Sequence, residues 1–130
     1  MSFNRVRVSV DSSNKLKFLK ARTGLTPNLL CRLAFSLSLG EPGMPRFELS
    51  DEDGQEFNRY TLTGEYDQFL IALLRERLVA DGLDQESDFL PQFRGHMNRG
   101  VSLLFSRVKG LTDLGGLLRG SGGAVRVPEK

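Results

Sequence analysis

Few side chains in this 130-residue sequence could do chemistry, and most of those that could are cationic. His96 is the single histidine and stands between Arg94 and Arg99. That setting suits a phosphate contact or proton transfer at a phosphodiester, because imidazole titrates near neutral pH. No partner base lies near it in sequence, so a solvated or capping role is the favoured expectation. The run Asp51-Glu52-Asp53-Gly54 offers carboxylates to a cation. Its glycine and later oxygens fall at the wrong places for a calcium loop, which predicts a solvated loop instead. Cys31 is the lone cysteine. It excludes an internal disulfide framework or a cysteine-cluster metal site, and among its leucine neighbours it reads as a small core residue. There is no phosphate loop, no H-E-x-x-H and no nucleophile elbow. The glycines after Leu114 follow no strand and make a poor dinucleotide fingerprint. The expectation is a protein without catalytic residues, metal or cofactor.

The stronger pattern is one for binding. Arg5-Val6-Arg7-Val8-Ser9-Val10 alternates strictly, placing Arg5, Arg7 and Ser9 on one face of a strand and three valines on the other. Two such strands from two chains would pair into a ribbon that fits the major groove, where arginine suits bidentate contact with guanine. Thr26-Pro27-Asn28 opens a helix whose first N–H groups, at Thr26, Asn28 and Leu29, face outward with the positive dipole end behind them, a physical phosphate site. The bland reading is a capped helix beside a surface strand with solvated arginines, nearly as well supported by these residues alone. Charge is segregated along the chain. Residues 1–39 carry seven Lys/Arg against one acid, residues 40–60 two against six, 61–90 two against seven and 91–130 seven against two. Basic ends around an acidic middle suggest a polyanion for one surface, or blocks that neutralise one another.

These residues need elements to hold them. After the strand, Asp11 or a following serine caps a first helix to about Arg22, with Leu16 and Leu19 inward and Lys15, Lys17 and Lys20 giving a basic surface. Gly24 ends it. Thr26 caps a second helix with Pro27 at its first position, Leu25 stapling to Leu30, and Gly40 at its end. Strand, helix, turn and helix over residues 5–39 make a ribbon-helix-helix-like unit. Residues 41–63 read as an acidic surface loop with a short extended piece near Arg59 to Leu62. A third helix from about Glu65 to Ala80 is apolar nearly all round, which suits a core or a subunit interface. A fourth runs from about Asp88 to Val108, and a short one near Thr112 to Leu118 closes the helical region 64–119. Residues 120–130 read as a flexible tail. The fold expected is mainly α, one helical domain over residues 1–119 with a short N-terminal strand. The N-terminus lacks the apolar core of a signal peptide. The most apolar run, Phe69 to Leu74, is far shorter than the roughly 20 residues of a membrane span, so a cytoplasmic protein is expected.

The segments NKLKFLKARTGLTPNLLCRLAFSLSL, DEDGQEFNRYTLTGEYDQFLIALLRERL and FRGHMNRGVSLLFSRVKGLTDL carry a resemblance to the DndE family of bacterial DNA phosphorothioation proteins. It spans roughly residues 4–118. Its most specific stretches are R-T-G-L-T-P-N at Arg22 to Asn28, E-F-N-R-Y-T-L at Glu56 to Leu62, and H-M-N-R-G at His96 to Gly100. The resemblance implies a non-catalytic DNA-binding subunit of the sulfur-modification machinery, itself a restriction-modification-type system. It implies a homo-oligomer, a tetramer being expected, working with a cysteine desulfurase, a sulfurtransferase-like enzyme and an ATPase. It also implies lysines turned toward duplex DNA, nicked duplex included: Lys15, Lys17 and Lys20, with Arg22 at the turn. Arg5, Arg7, Thr26 and Asn28 are added from the residues themselves. The acidic middle is expected to face away from DNA and dock the larger subunits. Rival expectations are a sequence-specific ribbon-helix-helix repressor, a nicking nuclease using His96, and a scaffold that meets an acidic protein.

Overall fold

The computed structural model describes residues 3–46 and 50–108. The elements run β1 (Arg5–Arg7), α1 (Val10–Thr23), α2 (Pro27–Leu39), β2 (Glu56–Asn58), α3 (Arg59–Thr63), one 3-10 turn (Gly64–Tyr66), α4 (Asp67–Ala80) and α5 (Phe89–Arg107). The architecture is mainly helical with a strand near the N-terminus, as the sequence predicts, and that strand belongs to a short two-stranded antiparallel sheet. The expected helix at 112–118 and the tail at 120–130 lie outside the described residues.

Strand alternation holds at Val6 and Val8, both buried, and then breaks. The Ser9 hydroxyl accepts the Ser12 N–H at 3.0 Å, so Ser9 rather than Asp11 caps α1, and Val10 is already helical and exposed. The start of α2 matches its prediction: Thr26 Oγ accepts the Leu29 N–H at 3.3 Å, with Pro27 at the first position.

The strand's partner differs from expectation. β1 pairs with β2 of the same chain, Arg5 opposite Asn58, Val6 opposite Phe57 and Arg7 opposite Glu56. The segment read as an acidic loop returns the chain to its N-terminus and supplies this strand. Gly54 makes the return possible. A Cβ there would lie 2.2 Å from the Ser9 carbonyl oxygen. The extended piece comes three residues earlier than predicted because Asn58 Oδ1 accepts the Tyr60 and Thr61 N–H groups and turns the chain into α3.

The core is centred where α2 crosses α5. On α5 the helically spaced residues Phe89, Phe93, Met97, Val101 and Leu104, with Val108 after them, are all buried. They pack on Leu30, Cys31, Ala34 and Phe35, and the Phe35 and Phe93 rings are 4.9 Å apart. Burial pushes the Cys31 thiol well above its ordinary range, which keeps it protonated and inert. The contact is close because Gly100 has no side chain: a Cβ there would stand 1.8 Å from the Ala34 carbonyl oxygen. α4 adds Leu70, Ile71, Leu74 and Leu78 to the core, while Phe69 and Val79 stay more than half exposed. The helix predicted as apolar all round thus buries one side only.

The two kinds of glycine predict different losses. Gly24 ends α1 at φ +78° with open space around it, so Gly24→Ala should cost about 1 kcal/mol of backbone strain. Gly100→Ala must push α2 and α5 apart and should cost more, toward the top of about 1–3 kcal/mol. Urea unfolding of both variants checks the order.

Candidate nucleic-acid interface

α1 presents its cations on two flanks of a buried stripe formed by Ser12, Leu16, Leu19 and Thr23. Lys17 and Lys20, three residues apart, share one flank and are exposed. Lys15 and Arg22, two turns apart, share the other. Lys15 is not the free lysine that sequence reading suggests. Its Nζ lies 2.8 Å from Asp11 Oδ2, 3.3 Å from Ser102 Oγ and 5.4 Å from the centre of the Phe105 ring. With a quarter of its side chain exposed, it ties α1 to α5 as well as carrying charge.

The turn between α1 and α2 brings Lys20 and Arg22 close to the start of α2. Gly24 N–H donates to the Lys20 carbonyl at 2.8 Å, and Leu25 N–H to Thr23 Oγ at 3.1 Å. Thr26 Oγ occupies the Leu29 N–H, so one donor fewer than predicted is available to an anion at this end; Asn28 stays half-exposed beside it.

Arg5 and Arg7 form a second cluster at the other end of α1, about 20 Å away by the length of a 14-residue helix. Both are exposed, and both meet Glu56 on β2: Arg5 Nε at 3.5 Å and an Arg7 terminal nitrogen at 3.1 Å. Arg7 also donates to the Gly54 carbonyl at 3.0 Å. One carboxylate therefore stands between the two arginines that a groove-reading ribbon would need to extend. The acidic run lies at this same end. Asp51 Oδ1 accepts the Asp53 and Val10 N–H groups at 2.9 and 3.0 Å, and these bonds hold its carboxyl below the usual range. Glu52 sits 3.4 Å from Arg94. The predicted solvated loop is exposed, but two of its three acids are engaged within the chain.

His96 departs furthest from its prediction. It is fully buried, not solvated, with Nδ1 2.8 Å from Ser38 Oγ and its ring against Phe35. Nε2 is buried without a hydrogen-bond partner. Desolvation, then the nearby charges of Arg99 and Arg77, push its pKa down to about 4, so it is neutral at physiological pH. Arg99 donates from Nε to Ser38 Oγ at 2.8 Å and from a terminal nitrogen to the Ser38 carbonyl at 2.8 Å. Arg77 donates to the Leu39 and Glu41 carbonyls at 2.8 and 2.9 Å, and also to the Gly43 carbonyl. Two guanidinium groups thus satisfy the orphan carbonyls at the end of α2. A buried, neutral imidazole cannot reach a phosphodiester. Among the described residues no group of three or more His, Cys, Asp or Glu could hold a metal, and no helix is long and apolar enough to cross a membrane.

Sequence reasoning missed an exposed aromatic pair. Phe18 and Phe105 stand 5.7 Å apart, edge to face, at 49% and 37% exposure. Arg22 lies over Phe18, its guanidinium carbon 4.6 Å from the ring centre. The available signal was that both phenylalanines fall off the buried stripes of their own helices.

The model of the DndE family, described as DNA sulphur modification protein DndE, matches residues 5–110. A crystal structure of DndE from Escherichia coli B7A, involved in DNA phosphorothioation modification, is similar at TM-score 0.66 and 28% identity, covering 80% of this chain and 98% of that one. A glycine-to-lysine mutant of DndE, also involved in DNA phosphorothioation, is similar at TM-score 0.65 and 27% identity, with 80% and 99% covered. No curated protein sequence matches this chain.

The buried imidazole predicts a pH dependence of stability. Its folded pKa, about 4, lies below the ordinary 6.5, so the unfolded chain binds more protons between these values. Stability should be full above about pH 6.5 and fall as pH drops toward 4, by at most about 1.4 kcal/mol per pH unit. Urea titrations from pH 7.5 to 4.5 should show that slope in the wild type and a flatter one in His96→Gln.

Proposed function

The chain belongs to the DndE family of DNA sulphur modification proteins, and on that premise we propose that it is a non-catalytic subunit of the phosphorothioation machinery that binds DNA through its backbone. The observation that carries this reading is the distribution of charge on α1. Lys17, Lys20 and Arg22 are exposed, and Asp11, the one acid in the helix, is paired with Lys15. Asn28 and Thr26 extend this surface through the turn, and Arg5 and Arg7 add a second cluster at the far end of α1. Lysines that neutralise phosphates release counterions, so binding is salt-dependent and nearly indifferent to sequence. Intact and nicked duplexes both present that backbone.

Two rival readings fit the geometry less well. A repressor that reads bases with a ribbon made from two chains needs free strands, and β1 is already paired within its own chain. A nuclease built on His96 needs that side chain at the surface. Self-association fits the outer side of α4, where Phe69, Leu73 and Val79 leave an apolar strip in water. A second copy of the chain is the occupant in this reading, which makes a homo-oligomer, a tetramer in the reading drawn from the family. The other modification components, sulfurtransferase-like and ATPase, are the remaining partners, in the cytoplasm where they meet DNA.

Fluorescence anisotropy with intact and nicked duplexes of unrelated sequence, titrated with salt, tests the reading. Wild type should bind all of them with similar affinity that falls steeply with salt. Each lysine in contact with phosphate should contribute about 0.9 to the logarithmic salt slope. Lys17→Ala/Lys20→Ala should lower that slope by about 2 and leave the fold unchanged, whereas Lys15→Ala should also reduce stability. Folded protein that fails to bind at low salt would refute the backbone-binding role.

A further inference from the structure

An exposed aromatic pair in the middle of a cationic surface is costly unless something covers it. Phe18 lies on the solvent side of α1, and Phe105 meets it from the last turns of α5. Between them is a groove of about 190 Å³ lined by Phe18, Leu19, Arg22, Phe105 and Val108. Leu19 and Val108 are buried and give it an apolar floor. Arg22 and Lys15 stand at its two rings, 4.6 Å from the centre of Phe18 and 5.4 Å from the centre of Phe105. An apolar floor, two exposed aromatic rings set edge to face and a cationic rim match a flat aromatic ligand that carries negative charge beside it.

We propose that this groove is a stacking site for an unpaired nucleobase of single-stranded DNA, with Lys15 and Arg22 taking the phosphates on either side. Base stacking on aromatic side chains, supported by backbone neutralisation, is the general physics of single-strand binding. The Arg22 guanidinium, its carbon 4.6 Å from the Phe18 ring centre, marks a face that a base can take over when the guanidinium turns to a phosphate. Charge decides against a second copy of the chain as the occupant. A two-fold contact through this groove would bring Arg22 of one protomer toward the cationic rim of the other, where the helix's one acid, Asp11, is already taken by Lys15. A polyanion has the complementary sign. The placement also accounts for why Lys15 and Arg22 share a flank of α1 that Lys17 and Lys20 do not. One flank follows the backbone and the other holds a base that has left its duplex.

The inference rests on the DNA-binding reading, and the test separates the two. The full chain is titrated with a 12-nucleotide oligothymidylate, with the same length of abasic backbone, and with intact duplex. Wild type should bind the oligothymidylate roughly 10-fold tighter than the abasic strand, the scale of one or two stacked bases. Phe18→Leu and Phe105→Leu keep an apolar side chain at each position. Each should erase most of that preference and leave duplex binding at the wild-type level. Duplex binding with no preference for bases, or a preference that survives in both variants, overturns the stacking site and leaves backbone binding intact. Failure to bind any of the three ligands overturns both. A change of oligomeric state in Phe18→Leu, read by sedimentation, would assign the groove to a subunit contact and overturn the proposal as well.

Discussion

The close crossing of α2 and α5 is the constraint to which the remaining structure is fitted. Because Gly100 lets the two backbones meet at Ala34, residues within one helical turn of it on α5 reach the end of α2. His96 and Arg99 both arrive at Ser38 there, and Arg77 comes from α4 to the carbonyls that follow. Wider spacing would leave those carbonyls to water and the imidazole without its one partner. The burial of a histidine, the capture of a helix end and the packing of three helices thus share one cause. Phe35 and Phe93 fill the same interface from the apolar side.

This arrangement divides the cations by task. Arg32, Arg59, Arg77 and Arg99 are all half-buried or deeper and act on the chain itself. Arg32 donates to the Leu62 and Thr61 carbonyls, and Arg59 makes a two-pronged pair with Asp67 at 3.0 and 2.9 Å. That pair raises the arginine's pKa and lowers the carboxylate's. The planar fork of arginine suits such fixed geometry, while lysine is a strongly hydrated point charge that stays in water. Lys17 and Lys20 do so here. A net charge of +2 therefore understates how positive the exposed face of α1 is.

Much of this was legible in the residues. The caps at Thr26 and Gly24, the apolar stripe of α5 and the basic helix α1 follow from local spacing alone, and they appear where expected. The extent of β1 and its partner were not legible, because three residues of strand pair with a segment about fifty positions away across glycine-rich, acidic sequence. His96 was misplaced for a related reason. Its flanking arginines look like a polar surface in sequence, yet at helical spacing it shares a stripe with Phe89, Phe93 and Gly100. The aromatic pair was missed because Phe18 and Phe105 belong to helices distant in sequence, and only packing puts them side by side.

The internal pairing of β1 with β2 has a bearing on stoichiometry. Proteins that build a ribbon from two chains inherit a two-fold axis, and that axis must find a matching palindrome on the duplex they read. Here each chain completes its own ribbon and needs no partner to finish it. The number of subunits in an assembly is then set by other surfaces, and the ribbon itself imposes no two-fold axis on whatever the assembly meets.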